Sequence, residues 1–303
     1  MRVLLLFPMA DGQTGPAIQH AFVKLGHEVL AVDAKIEPDN SCPSAFVFKP
    51  DLIFCSRTYT LAEQVAEIKK RFKDAKICMW NVDTRSSIQE WDFLFPLIKL
   101  CDYHFVVESN QLFDWREINH NTFWLPQGLQ EEVYHKPDRI TKFDILKYEC
   151  DVSFAGSCTG YHRWRMPYLQ AIENMGVKFK KWGCDGQPQV YNEEHNKMAA
   201  LSKINFAYSG WHENGKYVSV RDYKILGAGG FLMEFQQDGL NDIFPLGSLL
   251  TYDSPENLVH TIEISLEAEH MGKQYAKNGY KYVHSQATYT HRIQRALEIM
   301  KLK

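Results

Sequence analysis

Short apolar runs alternate with amphipathic stretches along most of the chain. Residues 3–7 (VLLLF) form an unbroken apolar run of strand length, the pattern of a strand covered on both faces. Residues 15–26 (GPAIQHAFVKLG) then place Ile18, Ala21, Phe22 and Leu25 on one helical face, with Pro16 at the first helical position and Gly26 at the end. HEVLAVD, PDLIFCS, KICMWNVD and DYHFVVES are further strand-like runs. After the third strand, Thr60 and Glu63 make a capping box for a helix whose inner stripe is Leu61, Val65, Ile68 and Phe72. Strands separated by helices imply right-handed crossovers and a parallel sheet.

Residues 122–138 (TFWLPQGLQEEVYHKPD) break this alternation with Pro, Gly and polar positions, as a domain edge and linker would. The series restarts at Cys150. CDVSFAGS reads as a strand, YHRWRMPYLQAIENMG as a helix, VKFKKWG as a strand, NEEHNKMAALSK as a helix and INFAYSG as a strand. Ser219 caps a short helix through Leu226, glycines stop it, and GFLMEF is the next strand. Ser254-Pro255 opens a helix, and two more run over roughly residues 271–282 and 288–302.

A chain of 303 residues exceeds the usual single core and fits two domains of about 150 residues. The expected division is an N-terminal Rossmann-like domain over 1–135, a second over 149–285, and a terminal helix over 286–303 that packs back on the first. A net charge of −3 with 23% charged residues argues against broad nucleic-acid or membrane binding. Seven scattered cysteines without a C-x-x-C pair read as reduced core thiols of a cytoplasmic protein. The N-terminal apolar run is too short for a signal segment or a membrane span.

Ligands of open parallel sheets bind beyond the carboxyl ends of the strands. The loop MADGQTGPA follows the first strand and sets Gly12 and Gly15 ahead of a helix N-terminus, where free N–H groups suit an anion or a sugar hydroxyl. Its glycine spacing is not the dinucleotide fingerprint, so Asp33 is no argument for NAD. In the second half, SVRDYKILGAGGFLMEF puts Arg221 and Lys224 near a helix start at the ligand edge, with Gly227, Gly229 and Gly230 behind them. A diphosphate suits that arrangement, although glycines before a buried strand also serve as a plain helix stop. Arg163 and Arg165, after Gly156-Ser157, form either a second phosphate clamp or a solvated basic turn. Trp182 and Gly183 stand where a nucleotide base would stack, or where an edge tryptophan would enter a core. Asp83, ending the fourth strand, is the first candidate for an acceptor-side acid or base, against a loop-capping role. His212, in GWHENGKY, is placed to touch a transferred sugar or leaving phosphate, or to be a surface residue. No His, Cys, Asp or Glu cluster has metal-ligand spacing.

The block S-V-R-D-Y-K-I-L-G-A-G-G-F-L resembles the signature of the CgeB-like, group 1 glycosyltransferases. KICMWNVD, FWLPQGLQEEVYHK, DVSFAGS and SPENLVHTIEISL are similar to other segments of that family, so the resemblance covers most of the chain. It implies a GT-B fold, two facing Rossmann-like domains. It also implies a nucleoside-diphosphate sugar donor, UDP-sugar foremost, held mainly by the second domain, and transfer without a required metal or other cofactor. The expected acceptor is a hydroxyl of a saccharide, a protein or modified DNA. One position departs: the family usually has Glu where this chain has Lys224, and that Glu accepts hydrogen bonds from the donor ribose. Lys donates but cannot accept, so recognition must shift, with Asp222 and Glu234 as possible substitutes. Two other readings stay open. One is a phage-type DNA glycosyltransferase using the cluster Arg163, Trp164, Arg165, Lys178, Lys180, Lys181 and Trp182. The other is a non-catalytic nucleotide or sugar binder.

Overall fold

Strand β1 (Arg2–Phe7) lies between β2 (Glu28–Asp33) and β3 (Leu52–Ser56), and both pairings are parallel. Its apolar run is explained by coverage on both faces. Phe7 and Phe22 pack against Phe54 on one side, whereas Leu4 and Leu6 join Ile53, Val65 and Ile68 on the other. Helix α1 (Thr14–Lys24) starts at Thr14 rather than at Pro16, and Gly26 ends it at a φ of 85° that glycine adopts without strain. Continuing the sheet are β4 (Lys76–Asn81), β5 (Tyr103–Val106) and β6 (Thr122–Trp124), in the order β2-β1-β3-β4-β5-β6. Helices α2 (Ser41–Phe48) and α3 (Ala62–Arg71) pack against one another, and α4 (Phe95–Leu100) and α5 (Leu112–Ile118) follow.

The chain is seen in a computed structural model that describes residues 1–33, 35, 41–56 and 61–302, less the side chains of Ser41, Cys42, Tyr161 and His212. Thr60, half of the expected capping box, lies outside the described residues; α3 has Leu61 at its N-cap.

After α6 (Lys142–Tyr148), strands β7 (Cys150–Ala155), β8 (Phe179–Trp182), β9 (Ser202–Phe206), β10 (Leu232–Phe235) and β11 (Leu250–Tyr252) form a second parallel sheet, ordered β11-β10-β9-β7-β8. Both sheets begin with the same doubly wound order, so the second switches direction between β7 and β9. Interspersed are α7 (Met166–Asn174), α8 (Asn192–Leu201), α9 (Val220–Gly227), α10 (Leu240–Ile243), α11 (Pro255–Glu267), α12 (Glu269–Gln286) and α13 (Tyr289–Met300). Ser254 caps α11 as expected, its Oγ accepting from the Asn257 N–H at 3.1 Å. No helix among the described residues is long and apolar enough to cross a membrane.

The fold comprises two compact units. Unit 1 contains residues 1–127, 213–217 and 289–303; unit 2 contains 128–212 and 218–288. Within unit 1, α13 packs against α1, and the segment 213–217 is held by Asn110 and Thr84: Asn110 donates to the Glu213 carbonyl at 2.6 Å, and Asn214 to Thr84 Oγ1 at 2.7 Å.

Two sequence expectations need correction. The stretch 122–138 is not all linker, because β6 occupies its start and pairs with β5. And the cysteines are not all reduced: Cys158 and Cys184 form a disulfide, while Cys55, Cys78, Cys101 and Cys150 are free and buried. The register explains the bridge. Ala155 of β7 lies opposite Trp182 of β8, so the two chains leave the sheet side by side with a cysteine a few residues on.

Candidate functional site

The site in unit 2 is organised by the start of α9. Ser219 occupies the N-cap, yet its side chain makes no capping hydrogen bond and its Oγ is buried without a partner among the described residues. The helix start is anchored instead from below. Ser209 Oγ accepts from the Ser219 N–H at 3.0 Å and donates to Asp222 Oδ2 at 3.1 Å, while Glu234 Oε1 accepts from the Ser209 N–H at 2.8 Å. Asp222 and Glu234 are fully buried, and loss of water raises both carboxyls, Asp222 well above its ordinary value with the Glu234 charge adding to the effect. Neither carboxyl lines the cavity described below.

Arg221 points from the first turn of α9 toward β7. Its guanidinium lies 5.4 Å over the Phe154 ring, and Nη1 is buried with no hydrogen-bond partner among the described residues. A Cβ added at Gly156 would come within 2.6 Å of Arg221 Nη2, so glycine makes room for the arginine. One turn further, Lys224 Nζ sits 4.6 Å over the Tyr134 ring. Burial, and secondarily the Arg221 charge, lowers its pKa to about 8.

Gly156, Arg221 and Lys224 line a cavity of about 120 Å³, together with Trp182, Tyr191 and His195. Trp182 is 7% exposed and packs on Tyr148 at 5.9 Å between ring centres, so it is at once a core residue and a cavity wall. A larger cavity of about 230 Å³ opens beside Ser202 and Gly230, at the amino ends of β9 and β10. Its Lys203 is already paired with Asp151 and Glu269, and the amino ends of parallel strands are not where such sheets bind ligands.

The other sequence candidates fall around this cavity or away from it. Gly183 adjoins it: an added Cβ there would meet Gln189 Cγ at 2.8 Å and the Gly156 carbonyl at 3.3 Å. Ser157 presents its carbonyl to Arg165 Nη1 at 2.7 Å. Arg163 is exposed and donates to the Gly160 carbonyl, whereas Arg165 is buried and also donates to the Tyr208 carbonyl at 3.0 Å; neither lines the cavity. Gly229 lies at the far end of α9 against Lys136 and outside the cavity. In unit 1, Asp83 is half-buried two residues beyond β4. Gly12 is exposed, and Gly15 is pressed on β1, where an added Cβ would stand 2.3 Å from the Pro8 carbonyl oxygen. Asp33 accepts from the Met9 and Lys35 N–H groups, which ties down the loop after β1. His212 opens a short turn, His212–Asn214, with its side chain outside the described ones.

His195 carried no signal in the sequence, being one polar residue in an ordinary amphipathic helix. It is 4% exposed on α8, and neither ring nitrogen has a partner among the described residues. The only close grouping of metal-type ligands among the described residues is Cys158, Cys184 and Asp185, and its two sulfurs are joined in the disulfide.

An arginine with unmet donors, a lysine and a tryptophan around one cavity at the carboxyl edge of a parallel sheet suit a phosphate-bearing ligand with a flat ring. Comparisons agree on the fold. HepE of Anabaena, solved in complex with UDP and glucose, matches with a TM-score of 0.67 at 11% identity, over 99% of both chains. Sucrose-phosphate synthase from Thermosynechococcus elongatus matches with a TM-score of 0.66 at 11% identity, over 99% of this chain and 98% of that one. A glycosyltransferase from Rickettsia africae gives 0.61 at 8% identity, over 99% and 98% respectively. No curated protein sequence matches the chain. Residues 147–298, half of the chain, match the family described as glycosyl transferase-like, and with two parallel α/β units of the GT-B type the chain belongs to that family.

Proposed function

We propose that unit 2 binds a nucleoside-diphosphate sugar, a UDP-sugar foremost, and that the protein transfers the sugar to a hydroxyl acceptor. The observation that carries this reading is Arg221: a cation with a buried, unpartnered Nη1, held against a glycine beside the cavity. A desolvated guanidinium is costly unless a ligand completes its hydrogen bonds. A diphosphate does so, and stabilising the charge that grows on it as the sugar–phosphate bond breaks is the catalytic task such a cation performs. Lys224 adds a second positive charge and Trp182 a ring for the base. HepE has been solved with UDP-glucose and an α1,3-fucosyltransferase with GDP-fucose, which supports a nucleotide-sugar donor for a chain of the same fold. On the acceptor side, Asp83 is the candidate base, His212 the candidate contact to the transferred sugar, and the Gly12–Gly15 loop the candidate hydroxyl site.

The basic cluster that would favour a DNA acceptor is largely spoken for. Lys181 is paired with Glu173 and Asp185, Lys180 donates to the Leu146 and Lys147 carbonyls, and Arg165 is buried. A saccharide or protein hydroxyl therefore fits better than a duplex. Donor cleavage separates the enzyme from a mere binder, since a binder leaves every nucleotide sugar intact.

The direct test is calorimetric titration of UDP and GDP into wild type and Arg221→Ala. The variant is expected to lose about 1.5–3 kcal/mol of diphosphate affinity, the scale of a charged hydrogen bond without replacement. Equal binding by both proteins would remove Arg221, and with it this site, from the function.

A further inference from the structure

Two loops leave the second sheet side by side after β7 and β8, and each carries one cysteine of the bridge. A third group joins them. Asp185 follows Cys184, and its carboxylate divides its oxygens: Oδ2 pairs with Lys181, whose ammonium also holds Glu173, while Oδ1 lies 3.6 Å from Cys158 Sγ. Bridged sulfurs carry no proton, so no hydrogen bond accounts for that approach. The turn that produces it is left-handed, with Asp185 at a φ of 51° between Gly183 at 73° and Gly186 at 75°. Two sulfurs and a carboxylate oxygen thus stand within 4.8 Å of one another.

We propose that these groups form a redox-gated metal site: with the bridge reduced, the Cys158 and Cys184 thiolates and the Asp185 carboxylate bind one thiophilic divalent ion such as zinc. Reduction takes two electrons and two protons from a dithiol, which leaves as its own disulfide, and breaks the Sγ–Sγ bond to give two thiols. The ion then displaces both thiol protons to solvent as two metal–sulfur bonds form. Zinc–sulfur bonds of about 2.3 Å in a tetrahedral site set two sulfurs about 3.7 Å apart. Rotation about each Cα–Cβ bond reaches that spacing from a Cα separation of 5.3 Å. Soft sulfur ligands select zinc over magnesium or calcium. Lys181 orients the third ligand, since holding Oδ2 leaves Oδ1 for the ion. Both cysteines are buried whereas the Asp185 side chain is 47% exposed, so the ion arrives over the carboxylate, and water completes its fourth position from the same side. None of the three residues lines the cavity of Arg221 and Trp182, and the ion's role is structural. Bridge and metal are alternative ties between the same two loops.

The test uses the whole protein, reduced with dithiothreitol, freed of it by anaerobic gel filtration, and titrated with zinc chloride against a chromophoric chelator. Reduced wild type is expected to take up one zinc ion more than the oxidised protein, and zinc but not magnesium is expected to raise its melting temperature. Asp185→Asn is expected to weaken that ion's binding about tenfold, and Cys158→Ser with Cys184→Ser to abolish it. Cobalt in place of zinc is expected to give the near-ultraviolet charge-transfer absorption of cobalt–thiolate bonds in reduced wild type and not in the oxidised protein. Equal zinc uptake by the oxidised and reduced proteins overturns the proposal without needing any variant to fold, as does uptake without the cobalt band. So does an extra ion retained by the double serine variant. If reduction unfolds the chain and zinc does not restore the fold, the proposal falls as well.

Discussion

Gly156 shows how much of the site is decided by a missing side chain. Its Cβ position is filled by Arg221 Nη2 at 2.6 Å, so Gly156→Ala would push the guanidinium aside rather than break the core, because the clashing atom is the end of a flexible side chain. The expected result is a nucleotide affinity lowered several-fold with the melting temperature nearly unchanged, read by titration and thermal unfolding of the same preparation. At this scale the sequence was readable in placement, since Arg221, Lys224 and Trp182 do line one cavity. It was silent where burial creates the task. His195 has no motif, and only the fold shows its nitrogens unpaired. Asp222 and Glu234 gave no sign in the sequence of their hydrogen bonds to Ser209 beneath the helix.

Among the elements, the long apolar runs and capped helices were legible, while the three-residue strands β6 and β11 were not. Three residues hold too few positions for a period of two to stand out. Helix α6 went unread between the expected linker and the restart at Cys150 despite a true capping box, in which Thr141 and Asp144 bond each other's N–H groups. The Cys158–Cys184 bridge was equally invisible, because pairing depends on strands β7 and β8 being neighbours. It ties together the two segments that carry Gly156 and Gly183. With a sequence separation of 26, the loop-entropy relation gives a contribution of about 3.5 kcal/mol. Reduction with dithiothreitol, or Cys158→Ser with Cys184→Ser, is expected to lower the urea midpoint accordingly; unchanged midpoints would mean that the bridge adds no stability in solution.

For the whole molecule, buried histidines contribute to the response to acid. His104 in unit 1, fully buried between β4 and β6 and bonded to Thr122, has its pKa lowered by burial to about 3, and His195 in unit 2 likewise. The folded state keeps them neutral while the unfolded chain takes up a proton below about pH 6.5, so their stability is complete above that value and is lost as pH falls toward 3. Each contributes a slope of about 1.4 kcal/mol per pH unit inside that window. In unit 2 the raised carboxyls of Asp222 and Glu234 act with the opposite sign, since the folded state binds their proton first. Urea unfolding of His104→Leu between pH 6.5 and 4.5 should therefore show a shallower loss than wild type, and parallel curves would contradict this.

The return of residues 213–217 and 289–303 to unit 1 also bears on inheritance. A single recombination event in the stretch joining the two halves would deliver a new unit 2 together with two foreign pieces of unit 1, whose partners on Asn110, Thr84 and α1 would be mismatched. Exchange of the whole second half is thus penalised in a way that substitutions confined to 128–212 and 218–288 are not. Lineages of this chain are expected to vary unit 2 by point replacement rather than by shuffling halves, and a laboratory chimera will need to retain both returning segments from its unit 1 parent.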